Sequence, residues 1–209
     1  MSSQVNWQHT WQALGISLAN VPAQLYDEII AKYDEAHRNY HTLQHLAECL
    51  EKFAELRHLA VNPAEIELAL WFHDAVYEPK NHDNEQLSAN WARSSVLNAG
   101  LGQTIADRIY NLIMATQHHA KPEDIDTKIL IDVDLAILGA ASERYNEYEQ
   151  QIRHEYSHVP EATFRLKRAE ILQYFLAQPT PFNTPLFIER YEQQARLNMK
   201  HALEQLWLS

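Results

Sequence analysis

Apolar residues recur along this chain at steps of three and four, the period of helices with one buried face. Ile105, Ile109, Leu112, Ile113 and Thr116 form one such stripe, and Tyr145, Tyr148, Ile152 and Tyr156 form another. Prolines 22, 63, 79, 122, 160 and 179 fall in the gaps between periodic segments, the chain has only 4 glycines, and no Asn-Gly or Asp-Gly hairpin signal occurs. The pattern predicts helices at about 4–18, 22–37, 42–59, 63–76, 83–98, 102–119, 124–138, 142–158, 161–177 and 185–207. Asn62 is a natural N-cap ahead of Pro63, Asp83 ahead of Asn84, and Gly139 stands where the helix begun near Asp124 should stop. The fold expected is all-α, a helical bundle with additional C-terminal helices. A single domain over residues 1–209 is expected, with a core at about 38–139 and an extension at about 142–207.

Composition narrows the partners. A chain of 209 residues with 46% hydrophobic and 22% charged content suits one sizeable core. A net charge of -11 argues against general nucleic-acid or anionic-membrane binding, while leaving room for a small anionic substrate held locally. Cys49 is the only cysteine, so no internal disulfide forms; it reads as a small buried apolar residue, and a cytoplasmic setting is expected. The N-terminal residues carry no basic stretch followed by a long apolar one, so no signal peptide is expected, and no window approaches a membrane span of about 20 apolar residues. A homo-oligomer stays open.

The unusual chemistry lies in LALWFHDAVYEP, where His73 and Asp74 interrupt an apolar run. Burying both is costly without partners, and a divalent metal is one partner that satisfies both. His41 and His45 lie upstream, four apart; on a helix they would share a face. Asp132 and Asp134 lie downstream in KILIDVDLAILG, two apart, so that only one can face a shared site; Asp134, followed by Leu135, Ile137 and Leu138, is placed inward. Imidazole and carboxylate without thiolate suit Mn, Fe, Co, Ni or Zn, with Mg at the hard end.

These residues resemble the signature of the HD superfamily of metal-dependent phosphohydrolases, a His, a His-Asp pair and a distant Asp spread over a helical bundle. The matching positions are His45, His73, Asp74 and Asp134. The segment Tyr40-His41-Thr42-Leu43-Gln44-His45 resembles the corresponding segment of cyclic nucleotide phosphodiesterases, with Thr42 in place of the usual Asn. That resemblance implies His45 as metal ligand and His41 as the acid that protonates the leaving oxygen. The second acidic residue of the family's last segment is the ligand, which points to Asp134 rather than Asp132. HDAVYE resembles the His-Asp segment of guanosine tetraphosphate hydrolases, with Glu78 at the second acidic position and Tyr77 at the first. Glu78 would orient or activate water. RNYHTLQH, WFHDAVYEP, DNEQLSA, ATQHH, DVDLAILG, YEQQIRHEY and ARLNM resemble a small bacterial group described as predicted HD-type phosphohydrolases, over nearly the whole chain.

The activity expected from this resemblance is hydrolysis of a phosphomonoester or phosphodiester, such as a nucleotide, by metal-activated water. One divalent ion is the default and two the alternative. Arg38 is either a surface residue or a phosphate clamp, a role that suits a fork able to bind phosphate bidentately. His118 is either a helix-end residue or a phosphate or second-metal contact, His119 less so, and Glu85 is either part of an acidic first turn or a residue reaching the site. Arg153 and Glu155 read as a half-buried ion-pair element. The five tryptophans read as packing. The alternatives are a nucleotide-sensing HD module without turnover and a di-iron HD oxygenase.

Overall fold

A computed structural model describes residues 3–117 and 122–208. Among the described residues it contains ten α-helices and no strand. They are α1 (Ser3–Ala13), α2 (Leu25–Tyr33), α3 (Leu43–Leu56), α4 (Pro63–Phe72), α5 (Asn84–Asn98), α6 (Gln103–Met114), α7 (Ile125–Asp134), α8 (Ser142–Glu155), α9 (Glu161–Ala177) and α10 (Pro185–Leu208). Every predicted helix is present; most are shorter than expected, while α9 has the expected bounds and α10 runs one residue further. Gly15 and Gly100, the two glycines at positive φ (80° and 94°), lie just beyond the ends of α1 and α5, where the left-handed turn costs glycine least. None of these helices is long and apolar enough to cross a membrane.

The chain divides into two compact units, Met1–Leu130 and Ile131–Ser209, and the division falls inside α7 rather than after Gly139. In the first unit α4 is the centre. Eight of its residues are buried, from Ala64 through Phe72 with only Glu67 more open, which is the composition of a core helix rather than a surface one. Helices α1, α3, α5 and α6 pack around it. Trp7 of α1 meets Trp71 edge-on with ring centroids 5.3 Å apart, and Trp91 of α5 meets Phe72 at 5.7 Å. Each such buried side chain contributes about 1.5–3 kcal/mol. The packing role expected for the tryptophans holds for Trp7, Trp11 and Trp71; Trp207, in contrast, is 58% exposed.

Asn62 precedes α4 as expected, but its side chain does not cap the helix. The cap comes from Asp126, whose carboxylate accepts from the backbone N–H of Val61 (2.7 Å) and Asn62 (2.9 Å) and from Asn62 Nδ2 (2.9 Å). The sequence periodicity also carried this helix on to residue 76. It stops at Phe72, so His73 is its C-cap and Asp74 stands in the turn that follows.

In the second unit α10 packs against α8, α9 and the short 3-10 turn Leu135–Gly139. Gly139 does not end α7 by a left-handed turn. Its role is proximity: a Cβ there would lie 2.6 Å from Tyr191 Cβ, so any side chain would push the turn off α10. Asn198 of α10 fastens the same turn by donating to Leu138 O (2.9 Å) and Ala140 O (2.8 Å).

Candidate metal centre

Three elements of the first unit bring the site together. Thr42 caps α3, accepting from Gln44 N at 3.3 Å, and His45 then falls in the first turn, 2% exposed. His41 lies before the cap, so it is not a helical neighbour of His45; the loop places it, with ring centroids 5.9 Å apart. The end of α4 supplies His73, 1% exposed, and Asp74 follows it. The negative pole of the α4 dipole lies at that end, which favours a cation nearby, although its last carbonyls are engaged, Trp71 O by the Tyr33 hydroxyl at 3.3 Å and Phe72 O by the Ala75 N–H at 2.9 Å.

The geometry of the three groups is tight. His45 Nε2 lies 3.1 Å from His73 Nε2 and 3.3 Å from Asp74 Oδ2, and His73 Nε2 lies 3.0 Å from the same oxygen. His73 Nδ1 is 2.8 Å from Leu70 O. A carbonyl only accepts, so Nδ1 must carry the proton, and in the neutral ring Nε2 presents its lone pair. That lone pair then faces a second imidazole nitrogen and a carboxylate oxygen, an arrangement that repels unless a proton or a cation lies among them.

The donor spacing fits a metal. Two donors about 2.1 Å from one ion lie about 3.0 Å apart across a right angle and about 3.4 Å apart across a tetrahedral one. The three separations, 3.0, 3.1 and 3.3 Å, span that interval. Burial alone would raise the Asp74 carboxyl, but with the imidazoles protonated the charges of His73 and His41 and hydrogen bonds from His45 and His73 outweigh it and hold the group well below the ordinary range, so without a metal the protons on these rings take the cation's place. Burial pushes the Tyr33 hydroxyl beside them up to about 12, so it stays neutral.

Cys49 joins this neighbourhood, which its reading as a plain apolar residue did not anticipate. It sits one turn after His45, and its sulfur is 3.7 Å from both nitrogens of that ring. One ligand atom from each of His45, Cys49 and His73 lies within 4.8 Å of the others, close enough to hold a metal ion. Equal distances to both nitrogens put the sulfur over the ring face rather than in line with Nε2. The signal was the four-residue spacing to His45.

Other expected residues take varied places. The Arg38 side chain is fully buried, and its fork is engaged within the protein: it donates to Glu35, to His41 O (3.1 Å), to Asp74 O (2.6 Å) and to Ala75 O (3.2 Å). These five hydrogen bonds match the five N–H groups of a guanidinium, so none is left over for the phosphate clamp that the sequence suggested. Glu78 is half-buried, and Asn84 ties its backbone through Glu78 N–H to Asn84 Oδ1 and Asn84 Nδ2 to Glu78 O, both 3.0 Å. Glu85 accepts from Gln117 at 3.3 Å. Arg153 pairs with Glu161, not with Glu155. His118 and His119 lie outside the described residues.

In the second unit Asp132 is fully buried and serves as an N-cap for α10. It accepts from Asn183 N (2.6 Å), Asn183 Nδ2 (2.9 Å), Thr184 N (2.6 Å) and Thr184 Oγ1 (2.6 Å). Asp134 is the last residue of α7 and half-buried. Burial makes the Tyr148 hydroxyl harder to ionise and pushes its pKa up; Arg168 opposes this, while the negative charges of Glu149 and Asp134 add to it. Comparison with models of protein families, with curated proteins and with solved structures finds no match to this chain.

Proposed function

We propose that this chain is a metal-dependent phosphohydrolase of the HD type that hydrolyses a phosphomonoester or phosphodiester, nucleotides among them. The observation that supports it is the approach of His45 Nε2, His73 Nε2 and Asp74 Oδ2 to within 3.3 Å of one another. When bound, a divalent ion supplies Lewis acidity toward a phosphoryl oxygen and a lowered pKa for water.

The residues of the chain do the rest. His45, His73 and Asp74 would hold the ion, and the sequence resemblance adds Asp134 to them. Leu70 O fixes the His73 tautomer that turns the Nε2 lone pair toward the ion. His41 delivers a proton to the leaving oxygen, and Glu78 orients the attacking water or takes its proton. His118 as a phosphate contact rests on sequence alone.

The test is metal analysis of the purified protein, then a phosphate-release screen over nucleotides and simple esters with the metal found. The wild-type protein should hold the ion and release phosphate; His73→Ala should do neither, and Asp134→Ala should bind more weakly. Equal turnover by His73→Ala overturns the proposal. Stoichiometric metal without hydrolysis of any ester turns the reading toward a sensing module.

A further inference from the structure

Tyr77 occupies the position where the resembling hydrolases carry an acidic residue, and its surroundings give it a different use. Its ring is buried, 8% exposed, and stacks on the His41 imidazole with centroids 4.0 Å apart and planes 26° apart. The Arg38 guanidinium lies 5.5 Å from the centre of the same ring. The Tyr77 carbonyl accepts from His37 Nε2 at 2.8 Å, which fixes the backbone just past the His73-Asp74 turn. Arg38 meanwhile donates to the carbonyls of His41, Asp74 and Ala75, so one buried cation fastens the loop before α3 to the turn after α4.

We infer that Tyr77 and Arg38 form one positioning unit that holds the His41 ring in a fixed plane beside the His73-Asp74 turn. Face-to-face stacking restrains an imidazole through its apolar face and leaves its edge, where both nitrogens lie, to polar contacts and proton transfer. A proton donor gains from such restraint, because transfer needs the nitrogen within hydrogen-bond reach of the leaving oxygen. Tyr77 and Arg38 are positioning residues here, and the His41 role they serve rests on the proposed phosphohydrolase reading.

The test compares Tyr77→Leu, which removes the stack, with Tyr77→Phe, which keeps it. Two readouts are used. The first is the chemical shift of the His41 ring protons by NMR, which needs no turnover. An upfield ring-current shift is expected in wild type and Tyr77→Phe and should fall sharply in Tyr77→Leu, where only the Tyr40 ring, 5.0 Å from His41, remains; an unchanged shift in Tyr77→Leu overturns the inference. The second is kcat on two phosphate esters, one with a nitrophenol leaving group and one with an alcohol. Leaving groups that need no proton should be insensitive, so Tyr77→Leu should lose about tenfold or more on the alkyl ester and little on the nitrophenyl ester, with Tyr77→Phe close to wild type. Equal losses on both esters overturn the inference. If the wild-type protein hydrolyses neither ester, the phosphohydrolase reading fails, and the ring-current measurement still decides the stack.

Discussion

Asp74 and Asp132 are both carboxylates in largely enclosed surroundings, and they show opposite solutions to the cost of burying a charge. Asp132 meets four donors, two backbone N–H groups, an amide and a hydroxyl, all from the turn that starts α10. Its hydrogen-bonding capacity is met by the protein itself. Asp74 Oδ2 meets two imidazole nitrogens, at 3.0 and 3.3 Å, and one of those rings has its proton committed elsewhere. A complete donor set marks a structural carboxylate. A carboxylate whose partners are imidazole nitrogens, each able to hold either a proton or a metal, marks a place for a cation.

The sharpest way to break this comparison is to remove each carboxylate and measure metal. Asp74→Ala and His73→Ala should each weaken metal binding by more than about a thousandfold, beyond the 10- to 100-fold typical of losing an outer partner. Asp132→Ala should bind the ion as wild type does. Titration calorimetry and elemental analysis after dialysis read both. A metal affinity that follows Asp132 rather than Asp74 would reverse the assignment.

Stability should divide the other way. Asp132→Ala strands buried donors and removes a helix cap, at a cost of about 3 kcal/mol in urea unfolding. Asp126 has the same function at the start of α4, with three hydrogen bonds from Val61 and Asn62. Asp126→Ala should cost less, about 1–2 kcal/mol, because it serves fewer donors. Both caps precede a helix that opens on proline, Pro63 and Pro185, whose ring pre-sets the first helical φ but offers no N–H. An outside carboxylate then serves the N–H groups just ahead of the proline.

These two aspartates also show what the sequence could and could not reveal. Helix number and type were legible, because burial imposes the three- and four-residue period on every element. His73 and Asp74 were legible as a pair because polar residues in an apolar run need partners, and the family resemblance added His45 to them. The end of α4 at Phe72 was not, since the apolar run continues through Ala75 and Val76 and nothing local stops it. The caps were misread at Asn62 because the actual acceptor, Asp126, is 64 residues away in sequence. Arg38 was misread for the same reason. Its carbonyl partners in the turn after α4 are 36 and 37 residues off, and a guanidinium that fits phosphate fits backbone carbonyls as well. Cys49 was legible only as helical spacing to His45.

The smallest effect, and the finest discriminator, is pH. Burial raises the Asp132 carboxyl above its ordinary value of 3.8, although the donors around it pull the other way. Between the unfolded and folded values the native state therefore holds more proton than the unfolded chain, and stability falls as pH rises. The Asp74 carboxyl is held well below 3.8, so its contribution is complete above the unfolded value and is lost only as pH falls far beneath it. In metal-free protein from about pH 4 to 5.5, below the ordinary histidine range, the two should separate. The stability difference between wild type and Asp132→Ala should shrink with rising pH. The difference between wild type and Asp74→Asn should stay level. Urea unfolding at three or four pH values measures both. A difference for Asp132 that grows with pH would mean that its four donors outweigh burial, and the two carboxylates would then differ in their partners alone and not in the direction of their ionisation.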